Sequence, residues 1–155
     1  MLFLLFHIGN DRYALEASRV VEVVPLLDLA EIPQAPPGLA GLLNYRGQSV
    51  PTVDLNRLAQ KHPASAKYST RIIIVRCDRP NGAPQLVGLI AQRATEILRR
   101  EPHEFAQTGL SNVGSPFLGP VLMDPAGPIQ WISEDKLLTN DVRQLVLDHA
   151  SPLPP

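Results

Sequence analysis

With 155 residues, 45% hydrophobic and 19% charged, the chain can form one domain or two small subdomains around a common core, and its composition excludes disorder. A formal net charge of −1, from 14 basic and 15 acidic residues, gives no bulk attraction to nucleic acid or to an anionic membrane. The 16 prolines and the low aromatic content of 5% argue against a helical bundle.

The opening MLFLLFHIG has no basic leader, and its apolar run stops at His7, so it reads as a strand over residues 2–8 rather than a signal peptide. No apolar stretch approaches the ~20 residues of a membrane span, and the protein is expected in the cytoplasm. Gly9, Asn10 and Asp11 make a turn into RYALEA, where Tyr13, Leu15 and Ala17 alternate with Arg12, Ala14 and Glu16. RVVEVVPLL follows as a short β-branched strand ended by Pro25, and IPQAPPG (32–38) is too proline-dense for anything but an extended loop. Residues 39–46 read as a strand ending at Arg46. Gly47-Gln48 then fits a two-residue type II′ turn, and VPTVDL returns with Pro51 marking an edge or a bulge. Asp54 can cap a short helical turn through Leu58, and residues 61–69 form a polar loop.

TRIIIVRC is the clearest buried strand in the chain. DRPNGAP is a turn, and QLVGLIAQ opens a strand that continues through ATEILRR. EPHEFAQTGLSNVGSP is a long irregular connection. FLGPVLMD and GPIQWIS form a hairpin around Pro125-Ala126-Gly127, and Ser133 can cap the turn EDKLL. In NDVRQLVLDH, Val142, Leu145, Val146 and His149 fall at the spacing of an amphipathic helix. The tail 151–155 is frayed. Nine or ten short strands with frequent turns and one terminal helix indicate small barrels or a sandwich. LLFHIGNDRYALEASRVVEVV and IIIVRC…QLVGLIAQRATEIL echo each other as two related half-units.

Local signatures of chemistry are missing. The histidines at 7, 62, 103 and 149 stand in four different contexts, and no histidine–cysteine cluster offers a zinc site. No glycine-rich phosphate cradle and no nucleophile elbow is present. Asp11, Glu22, Asp54 and Glu96 are scattered acids. The single cysteine, Cys77, can form no internal disulfide and reads as a buried small hydrophobe in a reducing compartment. The chain is therefore read as a non-enzyme without metal or cofactor. What remains is surface. Arg46 at a hairpin tip is either a solvated turn residue or a hydrogen-bonding contact for a partner protein.

In order, FHIGNDRYAL, RVVEVV, IPQAPPGLAGLLNYRGQSVPTVDL, RIIIVRC, LVGLIAQRATEIL and FLGPVL…GPIQWISEDKLL resemble the CheW family of chemotaxis coupling proteins. The specific part is Gly41-Leu42-Leu43-Asn44-Tyr45-Arg46-Gly47 with Val50-Pro51-Thr52-Val53-Asp54-Leu55. The resemblance implies a mainly β fold: two SH3-like five-stranded β-barrel subdomains sharing a hydrophobic core, with a short C-terminal helix, in one domain over residues 1–150. It implies no catalysis and no cofactor. It implies an adaptor between the cytoplasmic tip of methyl-accepting chemoreceptors and the regulatory domain of a CheA-type histidine kinase, working at receptor arrays without inserting into the membrane. Carried over, it puts Arg46 and Gly47, with Asn44 and Tyr45 of the same signature, in the receptor groove, and Val20 and Glu22 beside it. Tyr45 stands where an aliphatic residue is usual, and Ala91-Gln92 replaces a frequent valine-aspartate. The compact size and the LFLLF start are similar to coupling proteins of the Wsp surface-sensing type, whose output is a diguanylate cyclase. Three other readings are weighed beside this one. A hydrolase or transferase with a non-local site would need a pocket of convergent charged groups. A nucleic-acid-binding small barrel is disfavoured by the charge and the few aromatics. A competing scaffold of the same fold is not separated by sequence.

Overall fold

The two long apolar runs of the sequence become the two innermost strand pairings. In the computed structural model, which describes residues 1–36, 38–55, 57, 70–78, 84–107 and 117–138, LFLLFHI is β1 (Leu2–Ile8) and TRIIIVRC is β6 (Thr70–Cys77). The other strands are β2 (Asp11–Glu16), β3 (Val20–Pro25), β4 (Leu39–Tyr45), β5 (Gln48–Asp54), β7 (Gln85–Arg99), β8 (Leu118–Asp124) and β9 (Gly127–Ile132). Single 3₁₀ turns stand at Ala17–Arg19, Pro102–Glu104 and Glu134–Lys136. The expected mainly β fold is the one found. The amphipathic helix expected around residues 140–149, the polar loop 61–69 and the tail 151–155 lie outside the described residues.

The strands form one branched sheet in the order β3-β6-β7-β1-β2-β9-β8, with the β4–β5 hairpin joined to β7 through β5. β7 organises it. Its first part, Gln85 to Gln92, pairs antiparallel with β6, and its later part pairs antiparallel with β1 as far as Arg99. Between them Arg93 takes a left-handed φ of +52°, and the β1–β7 register shifts between Leu5 and His7. A residue of this conformation re-aims a strand, as a bulge does. Two sets of strands thus share β7. One holds β3, β6, β5 and β4; the other holds β1, β2, β9 and β8.

This sharing explains why β1 and β6 do not alternate between apolar and polar. Phe3 and Leu5 pack with Ala14, Phe105, Leu122 and Ile129 in one half. Ile72 and Ile74 pack with Leu43, Val50 and Ile90 in the other. The opposite faces of the same strands, Leu4, Phe6 and Ile8 from β1 and Ile73, Val75 and Cys77 from β6, meet in a third, central cluster with Leu15, Val87, Leu89 and Ile132. Successive side chains point to opposite faces, so a strand between two cores needs apolar residues throughout. Each fully buried Leu, Ile or Phe contributes about 1.5–3 kcal/mol relative to exposure. Phe3, Phe105 and Trp131 add a ring cluster with centroid separations of 4.9–5.1 Å.

Several local expectations change. The late hairpin turns on Pro125-Ala126 alone, because Asp124 pairs with Gly127, already the first residue of β9. Ser133 precedes the Glu134–Lys136 turn, but its backbone carbonyl, not its hydroxyl, accepts from the Lys136 amide at 3.2 Å. Pro51 sits opposite Leu42, whose own N–H and C=O both bond to Ala30. The β4 ladder therefore asks for no N–H at Pro51, which is how a proline fits inside the strand. Asp54 keeps its expected role in part: the Arg57 amide reaches its Oδ1 at 3.4 Å.

His7 lies at the seam, paired with Arg12 on β2 and Gln92 on β7, and its Nδ1 is buried without a hydrogen-bond partner. Burial, then the charges of Arg93 and Arg12, lower its pKa below the ordinary 6.5, with Glu96 pulling the other way. A histidine depressed in the folded state favours unfolding as pH falls through the ordinary value towards the folded one. We expect the melting temperature to fall as pH drops from about 7 to about 5, and His7→Gln to flatten that slope. Parallel pH profiles of the two proteins would discard this role for His7.

Candidate functional site

The β4–β5 hairpin turns one step earlier than the sequence reading placed it. Tyr45 pairs with Gln48, so Arg46 and Gly47 are the two central residues, with φ of +49° and +82°. Positive φ at both positions is the type I′ requirement, whereas Gly47-Gln48 in type II′ would need it only at the first. The Asn44 carboxamide helps fix the turn, its Oδ1 accepting from the Gly47 amide at 3.2 Å. A Cβ on Gly47 would meet nothing within 4 Å, so the backbone conformation, not crowding, calls for glycine there. Arg46 occupies a left-handed conformation without that excuse.

Behind the tip, Gly41 lets the preceding loop cross β4. A Cβ there would lie 2.6 Å from the Ala30 carbonyl oxygen, and Ala30 exchanges two 2.8 Å backbone bonds with Leu42. Tyr45 is half-buried against the Leu43, Val50, Ile72, Ile74 and Ile90 cluster. Its hydroxyl donates to Glu22 Oε2 on β3 at 2.6 Å. β3 and β4 share no ladder among the described residues, so this bond ties two otherwise separate strand edges. The hydrogen bond to Glu22 raises the Tyr45 pKa, because the carboxylate favours the protonated phenol.

Arg46 completes the cluster loosely. Its Nη2 stands 3.7 Å from the same Glu22 oxygen, and its guanidinium carbon lies 5.3 Å from the centroid of the Tyr45 ring. The arginine side chain is 76% exposed and that of Glu22 39%. An ion pair so wet and so long is worth about 0–1 kcal/mol. The short phenol–carboxylate bond is the structural tie. The guanidinium is left as a planar set of donors facing solvent, suited to the carboxylates or backbone carbonyls of another protein.

Five of the six residues singled out from sequence therefore converge: Glu22, Asn44, Tyr45, Arg46 and Gly47. Val20 does not join them. It pairs with Val75 and packs against the central cluster, because the β3 register breaks between Val20 and Glu22. The sequence reading passed over Val21 and Val23, which stay 47% and 36% exposed on either side of Glu22. Their signal is the β-branched run on either side of Glu22, in a strand that pairs on one side only among the described residues. Elsewhere, a cleft of about 300 Å³ is lined by Asp11, Arg12, Tyr13, Val121, Pro128 and Gln130. The Arg12 guanidinium is already engaged there, at 2.9 Å from Asp124 and 2.8 Å from the Gly127 carbonyl. Among the described residues no cluster of histidine, cysteine or carboxylate side chains could hold a metal ion.

Comparison with known proteins gives three findings. A family model described as CheW-like domain matches residues 2–142. The chemotaxis protein CheW of Helicobacter pylori is 27% identical over 97 residues, which is 63% of this chain and 56% of that protein. CheW of Klebsiella aerogenes is 27% identical over 112 residues, 68% of this chain and 64% of that protein. The matched part spans less than two thirds of the length of either relative. The crystal structure of the scaffolding protein TtCheW from Thermoanaerobacter tengcongensis agrees with a TM-score of 0.79, covering 91% of this chain and 89% of that one. At 22% identity that likeness is one of fold.

The two tip contacts should separate in denaturation experiments. Tyr45→Phe removes the only described hydrogen bond between β3 and β4 and should lower the urea midpoint measurably. Arg46→Ala should change stability by less than ~0.5 kcal/mol. Equal losses from the two variants would mean that the ion pair carries as much as the phenol bond.

Proposed function

The chain belongs to the CheW-like domain family, and from that premise we propose that it is a non-enzymatic adaptor coupling methyl-accepting chemoreceptors to a CheA-type histidine kinase. The observation that carries the reading is the Arg46 tip. An arginine in a left-handed conformation, 76% exposed and steadied by Glu22 and the Tyr45 ring, presents its donors outward from a rigid hairpin. In this reading Arg46 and Gly47 face the receptor's cytoplasmic tip, Asn44 holds the turn, and Tyr45 with Glu22 sets where the guanidinium stands. Tyr45, in place of an aliphatic residue, adds a ring for the arginine and an anchor on β3. Val20 acts behind the site by seating β3 on the central core.

The adaptor works as a spacer of fixed geometry. Receptor tip and kinase regulatory domain bind one frame whose halves share β7 and the central cluster, so a change in the receptor reaches the kinase instead of being absorbed between them. It acts on the inner face of the membrane by association with receptors; no helix among the described residues is long and apolar enough to cross a bilayer.

Arg46→Glu reverses the charge at the tip without touching the core. Co-sedimentation with receptor-bearing vesicles and kinase should show receptor affinity reduced by about tenfold or more, with kinase autophosphorylation uncoupled from receptor state and the melting temperature unchanged. Normal coupling by the variant would remove Arg46 from the receptor contact. Failure of the unaltered chain to join receptor and kinase would remove the adaptor reading itself.

A further inference from the structure

β3 has an unusual problem of register. Its sequence, Val20-Val21-Glu22-Val23-Val24, is nearly the same read in either direction, and none of its residues is fully buried. Among the described residues it pairs only with β6, where it lies against the apolar row Ile72 to Val75. A slip of one or two residues sets valine against that same row. Register is weakly specified in a strand whose two faces are so alike. The pairing already shifts once, between Val20 and Glu22. Yet the Glu22 position matters, since a valine set there by a slip has no acceptor for the Tyr45 hydroxyl.

An ionic clamp sits immediately upstream of the strand. Arg19, the last residue of the Ala17–Arg19 turn, donates from Nη1 to Asp78 Oδ2 at 2.7 Å, and its Nε lies 3.3 Å from Glu134 Oε1. Asp78 directly follows β6, the strand on which β3 lies. Glu134 begins the 3₁₀ turn that follows β9, in the other half of the sheet. That turn is fastened to the end of β6: the Asp78 amide donates to Asp135 Oδ1 at 2.8 Å, and Cys77 Sγ lies 3.2 Å from the Glu134 carbonyl oxygen. The Glu134 side chain is only 7% exposed, so one arm of the clamp is shielded from solvent. Burial pushes the Glu134 carboxyl up, and the positive charge of Arg19 acts against that.

We propose that Arg19 is a positioning residue whose grip on Asp78 and Glu134 pins the register of β3, so that Glu22, rather than a neighbouring valine, stands beneath Tyr45 and Arg46. Its consequence for partner binding rests on the adaptor reading of the Arg46 tip; the pinning does not. Two fixed points bracket the ambiguous strand: Arg19 at its entry and the Glu22–Tyr45 bond within it. Removing the first leaves the second to hold the register alone.

The test is amide hydrogen exchange and cross-strand NMR contacts of β3 in Arg19→Gln. We expect exchange at residues 20–24 to rise by about tenfold or more, with a second set of contacts to β6 beside the Val20–Val75 and Val24–Ile72 pairs. The Tyr45 ring should titrate at lower pH, towards an ordinary phenol, as its bond to Glu22 is lost for part of the time. Arg19→Lys should restore these signals in part, since an ammonium is a point charge without the planar fork. Asp78→Asn, at a carboxylate that is 55% exposed, should show the same changes more weakly and serves if Arg19→Gln does not fold. Binding to a receptor-tip fragment should fall about three- to tenfold in Arg19→Gln and in Glu22→Gln, and the double variant should lose less than the product of the two. A single unaltered register with unchanged exchange in Arg19→Gln and Asp78→Asn would overturn the proposal. If the unaltered chain does not bind the receptor fragment, the adaptor reading falls, and the exchange data still decide the pin.

Discussion

Everything in this molecule hangs on one strand serving two sets of partners. β7 pairs with β6 over its first part and with β1 over its second, and Arg93 bends it between them. A left-handed conformation at a residue with a Cβ costs about 1–2 kcal/mol. The return is the central cluster, which draws on both halves and exists only while β1 and β6 are held on either side of β7. Separating the halves would expose Phe6, Ile8, Ile73, Val75 and Leu89 together, at about 1.5–3 kcal/mol for each large side chain. The bend is the smaller quantity by a wide margin, so it persists.

The site inherits its rigidity from that frame. The β4–β5 hairpin meets β7 through a parallel pairing of Thr52 with Gly88, where a Cβ on the glycine would lie 2.7 Å from Thr52 Oγ1. β3 reaches the same frame separately, through β6. Two elements attached at different points converge on one phenol–carboxylate bond, Tyr45 to Glu22. Neither could place Arg46 alone. The hairpin supplies the arginine's backbone, and β3 supplies the carboxylate that limits where its side chain goes.

Parts of this were legible in the sequence, for physical reasons that can be named. β1, β6 and the Val87–Ala91 stretch of β7 announce themselves because a strand segment buried on both faces must be apolar nearly throughout. Which core each face meets was not legible, since that depends on strands far away along the chain. The hairpin existed in the sequence, but its turn was misplaced by one residue. A lone glycine can fill either central position of a tight turn, and arginine has no propensity for the left-handed conformation that decides between them. The resemblance placed Val20 beside Glu22 at the groove, but the pairing register shifts between them and Val20 packs against the central cluster instead. Arg19 and Asp78 meet from 59 residues apart, and no local pattern foretells such a contact. The signature Gly41–Gly47 with Val50–Leu55 became informative only through its resemblance to a family. Taken alone, Arg46 could as well have been a solvated turn.

The energetics of Arg46 argue against that bland reading. Its backbone conformation is one that asparagine or glycine adopts more cheaply, and its ion pair with Glu22 is long and wet. The conformation costs about 1–2 kcal/mol and the ion pair returns about 0–1 kcal/mol, so Arg46 adds no net stability. Tyr45 does not need the arginine either, because its hydroxyl already bonds Glu22 at 2.6 Å and its ring already packs on the hairpin core. A guanidinium that the fold holds in place but does not require is what the proposed partner contact calls for. An apolar or amide side chain would serve the turn as well; only a partner that reads donors in a plane distinguishes arginine from them.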